Sequence, residues 1–217
     1  MAHWVDRKIS NLRIAELEVE HGYYLTLDEL FDLMPDSEAY ERIYWENKAL
    51  FENAAGSSHN HQAWEGGYMN HVTEIMNIAC QQFNWMSRAR KLPFTRGEAL
   101  QVLFLHDIEK PWKFSTTDAG IQDTVLARTQ DFRSLPVKTK EERVAFRDAV
   151  IFHYGICLTN EQKNALKYVE GVRDKDYTPG DRVMNELAAF CHVCDLLSAR
   201  MWHDKGKDVA LGSPRWE

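Results

Sequence analysis

Apolar residues recur at three- and four-residue spacing over most of this chain, a period that favours helices over strands. Tyr40, Ile43, Tyr44, Leu50, Phe51 and Ala54 form one such stripe, and Val72, Ile75, Met76, Ala79 and Phe83 form another. This is the spacing that keeps one face of a 3.6-residue turn against a core. Thr95 with Glu98, Thr139 with Glu142, and Thr159 with Gln162 match the capping box. In that motif a hydroxyl and the side chain three residues on satisfy each other's orphan amides, which predicts three more helix starts. Beyond Pro179-Gly180-Asp181, the run Val183, Met184, Leu187, Ala188, Cys191, Cys194, Leu197 and Ser198 predicts a long amphipathic C-terminal helix. Alternation of period two hardly occurs, so the expected fold class is all-α. Loops are expected at Ala55–Asn60, Leu92–Phe94, Pro111–Asp123, Leu135–Lys138 and Glu170–Gly180, where Gly, Pro, Ser, Thr and Asp collect.

A chain of 217 residues suits one domain, and 44% apolar with 27% charged residues is ordinary globular composition with enough material for a core. No repeat, Gly/Ser-rich linker or block of like charge marks a boundary, so residues 1–217 are read as a single domain. The last residues, 204–217, carry little periodicity and are expected to be an irregular tail. Net charge is −7, which disfavours nucleic acid as a partner unless cations gather locally, and an anionic substrate then calls for a metal. Four cysteines, Cys80, Cys157, Cys191 and Cys194, are too few and scattered for a disulfide scaffold. With no apolar run long enough for a span and no secretory signal, the expectation is a cytoplasmic protein without a membrane partner. A homo-oligomer is left open.

Nine histidines are many for this length, and they lie near predicted helix ends. His71 has Tyr68 and Ile75 as its i−3 and i+4 neighbours, so it faces inward. His106-Asp107 closes the apolar run Ala99–Leu105, which sets an imidazole and a carboxylate at a mouth. Asp195 shares a helical face with Ala188, Cys191 and Ala199, and an unpaired carboxylate facing the core costs several kcal/mol. A divalent cation held by two imidazoles and two carboxylates neutralises both aspartates and accounts for the inward histidines. Such a donor set favours Mn, Fe, Co, Ni or Zn over Ca, with Mg possible although it prefers oxygen.

The segment His59-Asn60-His61-Gln62-Ala63-Trp64-Glu65-Gly66-Gly67-Tyr68-Met69-Asn70-His71-Val72 resembles the first motif of HD-domain phosphohydrolases, a His-rich loop and Gly-Gly turn opening a helix with a ligand histidine. Phe104-Leu105-His106-Asp107-Ile108-Glu109-Lys110 resembles that superfamily's His-Asp pair, and Asp195 in Cys194-Asp195-Leu196-Leu197-Ser198 its final aspartate. His106 follows His71 by 35 positions and Asp195 follows Asp107 by 88, so the resemblance covers about residues 59–200, with 1–58 a helical N-terminal part. It implies an all-α HD-like bundle in which His71, His106, Asp107 and Asp195 bind one cation. It further implies that a metal-activated water attacks phosphorus in a phosphate ester or anhydride, most naturally of a nucleotide or deoxynucleotide. Small members of the superfamily dephosphorylate deoxynucleoside monophosphates or hydrolyse the triphosphates. The first motif is also similar to that of the HD module in certain 3′–5′ exoribonucleases. Two other readings stand beside it: a di-iron oxygenase of the same superfamily, which needs a second metal shell, and a non-catalytic nucleotide-binding module.

Lys110 occupies the family's lysine position, where an ammonium meets phosphate oxygens. Glu65 suits a general acid or base, or equally a partner that orients a ligand histidine. Glu109 stands where the family commonly has glycine, and there it either repels a phosphate, points to solvent or pairs with Lys113 at i+4. His153 resembles the histidine that two-metal members carry after the second motif. It could bind phosphate, complete a partial second site with His61, or be a hydrogen-bonded core residue. Arg200, close to Asp195 along its helix, is the best phosphate contact among Lys113, Arg128, Arg133 and itself. Trp64, Trp112 and Trp202 lie near the motifs and offer either a stacking face for a base or core packing. Cys191-x-x-Cys194 suggests zinc, but without a second pair core thiols are the simpler reading.

Overall fold

A computed structural model describes residues 24–58, 62–115, 132–172 and 176–201, and among these every regular element is helical. In chain order they are α1 (Leu27–Asp32), α2 (Ser37–Glu46), α3 (Lys48–Asn53), α4 (Gly67–Ala89), α5 (Arg96–Leu105) and α6 (Lys110–Phe114). A 3₁₀ turn at Phe132–Ser134 precedes α7 (Lys140–His153), α8 (Asn160–Tyr168) and α9 (Glu186–Met201). Residues in the tail at 204–217, and Arg128 and Trp202, lie outside the described residues.

All three expected capping boxes form, opening α5 at Thr95, α7 at Thr139 and α8 at Thr159. A fourth, Thr26 with Glu29, opens α1 and was equally readable in the sequence. α9 starts at Glu186, later than the apolar stripe suggests, because Asn185 caps it: its side-chain oxygen accepts from the Ala188 amide at 2.7 Å.

Two expectations fail locally. The stripe from Tyr40 to Ala54 is two helices, broken at Asn47, whose backbone leaves helical geometry at φ −124° and ψ 21°. Its buried amide instead donates to the Ile43 carbonyl at 2.8 Å and to the Tyr154 hydroxyl at 3.1 Å, a local competition with the helix ladder typical of asparagine. The loop expected from Pro111 starts only at Ser115, because Pro111 lies in the first turn of α6, where its missing N–H is not needed.

α4 is the central pillar, with α9 laid along it and α5 wedged beside both. Val72, Ile75, Met76 and Ala79 of α4 are buried as the stripe requires. α5 is buried on every side from Ala99 to Leu105, which makes it the innermost helix and carries His106-Asp107 from its end into the middle of the molecule. An aromatic chain ties the N-terminal helices to the rest. Phe31 meets Phe104 edge-on at 5.2 Å, Phe51 meets Tyr68 at 5.4 Å and Trp112 at 6.0 Å, and Trp112 continues to Phe146 at 5.1 Å. Each such ring contributes roughly 1.5–3 kcal/mol by burial, and the pairing geometry adds about 0.5–1.5 kcal/mol.

Candidate metal centre

The start of α4 sets the first imidazole. Gly66 takes a left-handed conformation, φ 75°, and the next residue opens the helix. A Cβ on Gly67 would lie 1.9 Å from the Gln62 carbonyl oxygen, so only glycine lets the loop close on the helix start. One turn later His71 is fully buried. α5 supplies His106 as its C-cap residue, with Asp107 directly after it, and α9 supplies Asp195.

The three helices bring these groups together. The Nε2 atoms of His71 and His106 lie 3.4 Å apart. Asp195 Oδ1 is 3.3 Å from His71 Nε2 and 3.6 Å from His106 Nε2. Ligand atoms of His71, His106 and Asp195 all lie within 4.8 Å of one another, a group that could hold a metal ion. Asp107 Oδ2 approaches His106 Nε2 at 3.0 Å and His71 Nε2 at 3.7 Å, but its closest partner is Lys110 Nζ at 2.6 Å, one helical turn on. Asp107 is therefore shared between the centre and the lysine, and Lys110 is pinned to a carboxylate and largely buried.

Both imidazoles are oriented from behind. His106 Nδ1 lies 2.6 Å from the Leu103 carbonyl, which can only accept, so Nδ1 carries the proton. His71 Nδ1 lies 3.1 Å from Ser198 Oγ, and the Ser198 hydroxyl donates to Glu74 Oε2 at 3.2 Å. Having given its one proton to the carboxylate, that hydroxyl accepts from His71 Nδ1–H. Gln62 Nε2 donates to the same Glu74 oxygen at 2.9 Å and closes the network. Both Nε2 lone pairs are thereby left pointing at one place, the arrangement that protein imidazoles take around a metal. Two such lone pairs at 3.4 Å repel unless a cation or a proton lies between them.

Without a cation a proton takes that role. Burial works against charge on His106, yet the carboxylates of Asp107 and Asp195 outweigh it and hold the ring well above its ordinary pKa. Burial dominates at His71 and lowers it. Asp107 and Asp195 are both held below the usual carboxylate range, because His106, with Lys110 for Asp107 and His71 for Asp195, overcomes their burial. The centre is a nest of paired charges, and its donors suit a borderline divalent cation.

A cavity of about 450 Å³ opens over the centre, lined by His106, Asp107, Asp195, Lys110, Lys113 and Arg200 among others. The expectation that Asp195 faces the core needs correction: its side chain is 19% exposed and looks into this cavity, while its neighbours Cys191 and Cys194 are the core residues. Those two thiols are free and buried, and burial pushes both upward in pKa, Cys194 to about 12, as core thiols rather than metal ligands.

Other expected residues stand apart. Glu65 is exposed and does not line this cavity; the carboxylate behind His71 is Glu74, acting through Ser198. His153 is exposed at the end of α7, edge-on to Phe132 at 5.0 Å and to Tyr154 at 4.9 Å, so it is neither a core residue nor a neighbour of the centre. Trp112 spends its ring on Phe51, Phe132 and Phe146 and leaves no face towards the cavity over the centre. His61 lies outside the described residues.

Glu109 is neither solvent-exposed nor paired with Lys113. It is 3% exposed, faces Arg143 Nη1 at 3.9 Å, and burial followed by the charge of Asp107 raises its carboxyl to about 7. Glu74 and Ser198 were legible only as an inward position on each helix, Glu74 one turn after His71 and Ser198 one turn after Asp195.

Comparison with protein-family models, with curated proteins and with solved structures returned no match. No helix among the described residues is long and apolar enough to cross a membrane.

Proposed function

We propose that this chain is a metal-dependent phosphohydrolase of the HD-domain type, acting on a small phosphorylated metabolite, with a nucleotide or deoxynucleotide as the leading class. One observation carries the reading: two buried imidazoles, each with its Nδ1 proton tied down, aim both Nε2 atoms and the Asp195 carboxylate at a common point. That point lies beneath a cavity edged by Lys110, Lys113 and Arg200.

His71, His106 and Asp195 would hold a divalent cation, with Asp107 completing the set. When bound, such an ion polarises a phosphoryl oxygen and lowers the pKa of water. The chain's own residues do the rest. Lys110 carries its ammonium beside the ligand carboxylate Asp107, so the same group that positions Asp107 faces the phosphate oxygens on which charge builds. Lys113 and Arg200 offer further cationic contacts at the cavity rim. Free thiols at Cys80, Cys191 and Cys194 fit a reducing, cytoplasmic setting.

The test is phosphate release across a panel of nucleotides and sugar phosphates with Mn, Co, Ni, Zn or Mg. The expected result is release that Asp107→Ala and Asp195→Asn each reduce by at least a hundredfold. Absence of release from every ester with every metal refutes catalysis and leaves a ligand-binding module. Oxygen uptake with two irons per chain points instead to the oxygenase branch.

A further inference from the structure

Arg143 and Arg147 stand one turn apart on α7 and share a face. Both line a second cavity, of about 690 Å³, that opens between α7 and α8. Arg143, Glu109, His106 and Glu170 line this cavity and also the one over the metal centre, so the two adjoin.

The arginines are incompletely satisfied. The Nε of each is buried with no hydrogen-bond partner among the described residues. Arg147 has a side chain only 12% exposed, yet its polar contacts are Nη1 to the Leu166 carbonyl at 3.2 Å and Nε to the exposed Asp148 at 4.0 Å. Arg143 reaches Glu109 only at 3.9 Å. A guanidinium presents five donors in a fork that fits a phosphate or carboxylate edge, and leaving them buried and unpaired is costly. Burial lowers Arg147 from its usual range and outweighs the opposing pull of Asp148, Glu109 and Glu170. Lys163 and Lys167 add ammonium groups to the same lining, and Ile151, Ile156 and Leu166 give it an apolar wall. Glu109, Asp148 and Glu170 line the cavity too, and Glu170 holds Lys140 at 2.6 Å, so five cationic side chains stand against three carboxylates, a local positive excess in a chain of net charge −7.

We propose that this cavity is a second anion subsite, in which Arg143 and Arg147 hold a phosphate group of the same small molecule whose other phosphate reaches the metal centre. The substrate class is a bisphosphate with an uncharged, hydroxyl-bearing spacer, and this rests on the phosphohydrolase reading above. The spacer follows from the geometry: the arginines and the metal centre lie in separate cavities that adjoin only at His106, Glu109, Arg143 and Glu170, so phosphates seated in both are parted by intervening atoms, and polar side chains at the junction offer hydrogen bonds to a hydroxyl.

The test is equilibrium binding to the full chain of adenosine 3′,5′-bisphosphate and of fructose 1,6-bisphosphate, with AMP and ADP as controls. Wild type is compared with Arg147→Met and Arg143→Gln, each checked by thermal unfolding; the half-buried Arg143 serves as the second variant should the more buried Arg147 prove structural. The expected result is a bisphosphate bound at least tenfold tighter than AMP, ADP within threefold of AMP, and most of the bisphosphate advantage lost in the folded arginine variants. A preference for the nucleoside or for the sugar compound identifies the spacer, and either supports the subsite. ADP bound as tightly as the bisphosphates, or an advantage that survives both substitutions, overturns it. Arginine-dependent binding without phosphate release from any ester refutes the phosphohydrolase reading and supports the subsite.

Discussion

Ser198→Ala isolates the hydroxyl that fixes one ligand of the proposed centre. Ser198 is fully buried, accepts from His71 Nδ1–H across 3.1 Å, and donates to Glu74 at 3.2 Å. The substitution deletes this acceptor and leaves the volume nearly unchanged, so cavity effects are small. A buried donor deprived of its acceptor costs about 1–3 kcal/mol, which is the expected loss of stability in chelator-treated protein. The larger consequence falls on the metal. With the Ser198 acceptor gone, the Nδ1 proton is held less firmly, and His71 can rotate or move its proton to Nε2, where it blocks coordination. Loss of such an orienting partner typically weakens metal binding about 10–100-fold, or about 1.4–2.7 kcal/mol. Calorimetric titration of the metal-free protein with Zn or Mn measures this, and long-range ¹H–¹⁵N correlation of the imidazoles reads the tautomer. In wild type His71 carries its proton on Nδ1; in the variant an Nε2–H population appears. Affinity within twofold of wild type, together with an unchanged His71 tautomer, refutes the reasoning.

The remaining predictions concern charge. His106 is held well above its ordinary pKa by Asp107 and Asp195 despite burial, so metal binding near pH 7 expels about one proton and affinity rises with pH. Titrations in buffers of different ionisation enthalpy detect it, and heats independent of buffer contradict it. At a free metal concentration of 100 Kd the folded state gains about 2.7 kcal/mol, or roughly 5–11 °C in Tm for a chain of this size, reversed by chelator. Glu109 has a folded-state pKa raised from 4.5 to about 7, so the native state binds the extra proton between those values and metal-free stability falls as pH rises through that window. The full penalty, reached above pH 7, is about 3 kcal/mol. Glu109→Gln removes it, so the variant matches wild type near pH 4.5 and is more stable at pH 8. Parallel urea stability curves for the two proteins across this range count against the buried carboxyl.

What was legible from sequence is what short range decides. Capping boxes are local exchanges of hydrogen bonds, and those at Thr95, Thr139 and Thr159 formed where their spacing demanded. The α4 stripe turned inward because burial of apolar area follows the helical period. His71, His106 and Asp195 were identifiable from the company each keeps within a few residues, and the three helices do bring them within ligand distance of one another.

Only the folded chain determined their partners. The hydroxyl behind His71 comes from a residue 127 positions away, and the guanidinium facing Glu109 from another helix altogether. Residue type alone makes Glu109 a solvent-facing carboxylate and Glu65 a plausible base; burial of one and exposure of the other reverse that order. Asn47 breaks the stripe from within through its own amide, which bonds the Ile43 carbonyl nearby, but the Tyr154 hydroxyl that shares that amide comes from far along the chain. Spacing along a chain specifies which side of a helix a group occupies. The environment that sets its protonation and its partners is built by segments remote in sequence, through desolvation and charge, and exists only after they have packed.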